Sequence, residues 1–97
     1  MPAYVTLFNW TEQGIKNVKD TLKRAQAAKE AWEAAGGSVI GIWWTQGQYD
    51  GVLIHVTPDD ETATRLLMSL GMKGTVRTTT LRAFSEEETE RIIQGLP

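Results

Sequence analysis

Two apolar runs, Val39 to Trp44 and Val52 to Val56, flank Gly47-Gln48-Tyr49-Asp50. This spacing dictates an antiparallel β-hairpin more firmly than any other segment dictates its local structure. Both runs are rich in β-branched and aromatic residues, which suit a pleated, half-buried surface, and the glycine supplies the turn. Strands are therefore expected at 38–44 and about 48–56.

The rest of the chain supplies partners for that hairpin. Residues 3–9 alternate as a first strand. Thr11 is placed to cap a helix, with Trp10 and Ile15 as a hydrophobic staple. Ile15, Val18, Leu22, Ala25 and Trp32 recur on one stripe, and Gly36-Gly37 ends the helix. Thr57-Pro58-Asp59-Asp60 reads as a second helix start, with Thr57 as cap, Pro58 in the first turn and Asp60 closing a box. Ala63, Leu66, Leu67 and Leu70 form its apolar stripe. Residues 75–83 are a Thr-rich fourth strand, and Ser85 with Glu88 opens a short terminal helix to about Gln94 carrying Ile92, Ile93 and Leu96.

The order strand, helix, strand, strand, helix, strand, plus a tail helix, matches the α+β ferredoxin-like βαββαβ sandwich with a four-stranded antiparallel sheet. Residues 1–97 are expected to form one domain. The two main helices should cover one face of the sheet and leave the other open. The aliphatic residues Val5, Leu7, Val52, Ile54 and Val56 suggest the helix side. That assigns Tyr4, Thr6, Phe8, Tyr49, Gly51, Leu53 and His55 to the open face, with one of Trp43 and Trp44 facing each way. Such a half-aromatic face favours association with a second copy, so a homodimer or larger even-numbered oligomer is the expectation.

Charge and composition narrow the function. Ten Lys plus Arg against twelve Asp plus Glu disfavour nucleic acid as a partner, and the third strand lacks the basic-aromatic pattern of RNA-recognition modules. No apolar run approaches the roughly 18 residues that suggest a membrane span, and the opening Met1-Pro2-Ala3-Tyr4 shows no basic segment followed by an apolar core, so an unexported protein is the expectation. Cysteine is absent, which excludes disulfide and thiol chemistry and is consistent with a cytoplasmic location. A single histidine offers no metal-ligand set, so neither metal nor cofactor is expected.

The opening PAYVTLFNWTEQGIKNVK, the GQYD turn, the PDDE helix start and the segment VRTTTLRAFSEEE together resemble small bacterial GYD-domain proteins over nearly the whole chain. That resemblance implies a ferredoxin-like fold related to the dimeric α/β-barrel proteins, in which two sheets pack across a shared cavity. It implies no particular activity. The signature carries over as Gly47, Tyr49 and Asp50, with Gln48 at the variable position.

Gly47 is expected to adopt positive φ in the hairpin and Asp50 to accept hydrogen bonds from turn amides. The competing reading puts Tyr49 at a pocket mouth. His55, titrating near neutral pH, is a candidate general base, set against an interface or hydrogen-bonded structural role. Arg77 is a candidate anion-stabilising group, set against a strand-end salt bridge; Arg82 has the opposite parity. Tyr4, Thr6, Phe8, Trp43 and Leu53 are the candidate ligand wall, whereas Trp10 and Trp32 fit staple and helix-core positions and Glu86 to Glu88 suit a helix N-terminus.

Two functions follow. The leading one is a module binding an apolar or aromatic metabolite, or a protein partner, at the sheet face. The alternative is a cofactor-independent oxygenase or isomerase with His55 as base and Tyr49 or Arg77 stabilising the anion.

Overall fold

A computed structural model describes residues 1–97. Strand β1 (Ala3–Trp10) leads into a short helix α1 (Glu12–Lys16), a 3-10 turn (Val18–Asp20) and helix α2 (Thr21–Ala34). Strands β2 (Ser38–Trp44) and β3 (Gly51–Val56) follow, then α3 (Asp60–Met72), β4 (Val76–Ala83) and α4 (Glu86–Gln94). All strand pairs are antiparallel and the sheet order is β2-β3-β1-β4. This is the ferredoxin-like βαββαβ arrangement with an added terminal helix, as the order of elements predicts.

The first helix departs from expectation: it breaks after Lys16 and resumes at Thr21. Asn17 stands at the break, where its side-chain amide donates to the Gln13 carbonyl that its own backbone N–H already uses, and such side-chain bonds compete with helix continuation. The break rotates the predicted stripe out of register, so Ile15, Val18 and Leu22 are exposed, Leu22 at 70%. Only Ala28 and Trp32 of α2 are fully buried. Thr11 does cap α1, accepting from Gly14 N–H, and also donates to the Gly74 carbonyl, which ties α1 to the turn before β4.

Helix α3 begins later than the Thr57-Pro58 start implied. Its cap is Asp59, whose carboxylate accepts from Thr62 N–H at 2.8 Å, while buried Thr57 donates to the Asp59 carbonyl. The Ser85–Glu88 capping box at α4 is present in both directions. Ile92, Ile93 and Leu96 are more than half exposed, so the apolar side of α4 is not buried in the chain.

The assignment of the sheet faces is inverted. Tyr4, Thr6, Gly51, Leu53 and His55 are the buried strand residues, and His55 bonds to Trp32 of α2, so this set faces the helices. Ala28, Trp32 and Leu53 form the centre of the core, with Val39, Ile42, Leu66, Leu67 and Leu70 packed around them. Val5, Leu7, Val52, Ile54 and Val56 occupy the open face by alternation. On β2 an irregularity between Val39 and Gly41 displaces Ile40 from the ladder. One extra residue lets both Val39 and Ile42 reach the core, although strict alternation would put them on opposite faces. Trp43 consequently faces outward, 53% exposed, with its indole laid over Gly41, where a Cβ would come within 2.4 Å of the ring.

Candidate functional site

The helix-covered side of the sheet contains a cavity of about 120 Å³. Its floor is Thr6 and Phe8 of β1, Leu53 of β3 and Ile42 of β2; Ala25 and Ala28 of α2 and Leu70 of α3 wall it. Trp10, Trp44, Val76 and Thr78 extend the lining toward the sheet ends. Gly51 shapes the floor: a Cβ there would lie 2.1 Å from the Phe8 ring, so only glycine lets that ring lie over β3. Two cations, Arg24 and Lys73, belong to the lining, and no Asp or Glu does.

Beside the cavity runs a closed polar chain. Trp32 Nε1–H donates to His55 Nδ1 at 3.0 Å. A neutral imidazole accepting at Nδ1 carries its proton on Nε2, which donates to Thr6 Oγ1 at 2.8 Å; Thr6 then donates to Thr80 Oγ1 at 2.8 Å. Tyr4 stacks on His55 with ring centroids 5.3 Å apart and Trp32 meets it edge-on at 5.0 Å. With the ring wholly buried, desolvation pushes the His55 pKa down to about 4, because the charged form loses its water. His55 is neutral at physiological pH, with Nδ1 occupied and Nε2 donating. In this arrangement it has no free lone pair to act as a base, and the geometry is that of a hydrogen-bonded core histidine.

Tyr4 stands outside this chain of hydrogen bonds, and its hydroxyl donates to Asp60 Oδ1. Burial, then the bond to the Asp60 carboxylate, raises the Tyr4 pKa. Arg82 joins the cluster, 3.9 Å from Asp60 and 3.6 Å from Glu88, with its guanidinium 4.6 Å from the Phe84 ring centroid. This arginine fixes the start of α4 to the end of β4.

The signature turn is a structural clasp. Gly47 has φ of +102°. Asp50 does not accept from turn amides; its carboxylate takes Trp10 N–H at 2.9 Å and Asn9 Nδ2 at 3.5 Å, and its own N–H donates to the Phe8 carbonyl. It thereby pairs the last amide of β1, which β3 is too short to reach. Tyr49 contributes its carbonyl to Thr45 Oγ1, and its side chain is not part of the cavity lining.

Of the proposed ligand wall, Thr6, Phe8 and Leu53 line the cavity, and Tyr4 lies behind it against His55. Trp43 is on the opposite face, and Trp44 takes the cavity position. Arg77 pairs with Asn9 in the ladder and shares the open face with Thr79 and Leu81. His55, Tyr49 and Arg77 therefore do not converge on one point. Sequence reasoning missed Trp10, Arg24, Lys73, Val76 and Thr78, and left open which of Trp43 and Trp44 lines the cavity. No group of three or more His, Cys, Asp or Glu side chains is placed to hold a metal ion, and no helix is long and apolar enough to cross a membrane.

A ferredoxin-like sheet, a clasped signature turn and an apolar cavity beneath two helices define a small α+β domain. The GYD domain model matches residues 4–93, and the chain belongs to that family. The crystal structure of TTHA0845 from Thermus thermophilus is similar over 88% of this chain and 95% of that one, at 25% sequence identity and a TM-score of 0.54. No curated protein matches the chain significantly.

Proposed function

We propose that this GYD-domain protein is a small homo-oligomeric binding module that takes an apolar or aromatic metabolite into the cavity between its sheet and helices. The observation that carries this reading is the cavity itself, built from aromatic and aliphatic side chains of all four strands and two helices. Ligand sites of this kind are mostly apolar with a few placed polar groups. Engineered apolar cavities of about 150 Å³ accept benzene, so the volume suits a single ring or a short branched chain.

The second element of the proposal is self-association through the open sheet face. Val5, Leu7, Val52, Ile54 and the flat Trp43 form two adjacent apolar rows, which Leu81 extends. Phe84, Ile92, Ile93 and Leu96, all more than half exposed, leave further apolar surface toward the C-terminal end. A two-fold axis through such a face makes it self-complementary, and the occupant we assign is a second copy of this chain in the cytoplasm. Tryptophan fluorescence during titration with small aromatic compounds tests the cavity, because Trp10 and Trp44 line it. Saturable change with a raised melting temperature is expected; no response across single-ring compounds would overturn the reading.

A further inference from the structure

We infer that the metabolite taken by this cavity is an anion, a compact apolar or aromatic body carrying one carboxylate or comparable negative head that is held by Arg24 and Lys73. This deepens the binding function proposed above and rests on it.

The inference begins with a charge imbalance. The chain carries twelve acidic and ten basic side chains apart from its single histidine, yet the cavity lining holds two cations and no acid. Neither cation is neutralised elsewhere. The ion pairs of the molecule join Lys16 to Glu12, Arg65 to Glu61, and Arg82 to Asp60 and Glu88. Arg24 donates only to neutral oxygens: the Asn17 carbonyl at 3.0 Å, the Gly14 carbonyl at 3.4 Å and Thr21 Oγ1 at 3.2 Å.

Those three bonds orient the guanidinium without cancelling its charge. Arg24 is also half-buried, where a cation without a counter-ion is less well solvated and gains more from an arriving anion. Structural roles account for part of the arrangement. Lys73 caps the C-terminus of α3, where a positive charge suits the helix dipole, and Arg24 sits on carbonyls at the end of α1. Lys19, Lys23, Lys29, Arg77 and Arg91 also lack an ion pair, but they are exposed and stand outside the cavity lining, whereas Arg24 and Lys73 line it and Arg24 is half-buried there. A ligand with a negative head supplies the missing partner, and its apolar body takes the place beside Phe8, Trp44 and Leu53.

The test is a titration of the full chain with a nearly isosteric pair, phenylacetate and phenylacetamide, followed by tryptophan fluorescence and calorimetry at low and moderate salt. Phenylacetate should bind about tenfold more tightly at low salt, and the advantage should shrink as salt screens the exposed part of the interaction. Lys73→Gln should weaken phenylacetate by about threefold and leave phenylacetamide unchanged. Arg24→Lys, which keeps the charge but loses the fork, should weaken the acid selectively as well. Equal affinity for acid and amide, or equal loss of both in Lys73→Gln, overturns the anion inference while the apolar cavity stands. Binding of neither compound overturns the binding function along with it.

Discussion

The two faces of the sheet reverse the usual division of labour. The face covered by helices carries Tyr4, Thr6, His55 and Thr80, and the uncovered face carries Val5, Leu7, Val52 and Ile54. The covered face tolerates this because its polar atoms are completely paired: no buried side-chain nitrogen or oxygen lacks a hydrogen-bond partner. An unpaired buried group would cost about 1–3 kcal/mol, and the Trp32 indole N–H removes that cost for His55. The uncovered face holds apolar area whose removal from water, at about 25 cal/mol per Å², is still available to an association step. Polarity alone therefore does not mark the inside of such a sheet. Partnership does.

The largest expected effect breaks the open face. Leu7→Glu puts a charge at the centre of the proposed interface, where an unpaired buried charge costs about 3–5 kcal/mol. Light scattering should then find a monomer that keeps its fold and its cavity ligand. Thr79→Glu, at the exposed edge of the same face, should change the assembly far less.

The covered face is broken by acid. With the His55 pKa lowered from 6.5 to about 4, the unfolded chain binds a proton more readily than the native one between those values. Stability from this residue is complete above pH 6.5 and declines as pH falls toward 4, by on the order of 3 kcal/mol in total. Because this is the only histidine, its imidazole resonance should show no titration from about pH 8 to 5.5, while denaturant midpoints fall below about pH 6.5. A resonance titrating near 6.5, the ordinary histidine value, would contradict the sealed polar chain.

Smaller changes sharpen the comparison. Trp32→Phe keeps an aromatic ring but removes the N–H that satisfies His55, and chemical denaturation should report a loss of about 2 kcal/mol. Asp50→Ala strands the Trp10 amide and should lose about 1 kcal/mol, with Asn at the same position recovering most of it because its side-chain oxygen still accepts.

The fold was legible in the sequence because turns and caps are local. Gly47, Thr11 and the Ser85–Glu88 box each act within a few residues, and together they order the elements. The faces were not legible, since alternation separates two sets of residues without saying which set the helices cover. Aliphatic character pointed the wrong way because the polar set satisfies itself through contacts distant in sequence, Thr6 to His55 and His55 to Trp32. The same blindness hid half the site. Thr6, Phe8 and Leu53 were named as one wall, but Arg24, Trp44 and Lys73 join it only through tertiary packing, across a broken helix that periodicity read as continuous.

Native mass spectrometry of the freshly purified protein tests the central claim, that copies meet through the open face while the covered face holds a ligand. The expected result is an even multiple of the 10.8 kDa chain that releases a small anionic compound on denaturation, with Leu7→Glu giving a single chain that still carries it. A wild-type protein that stays monomeric and empty at micromolar concentration would contradict the account.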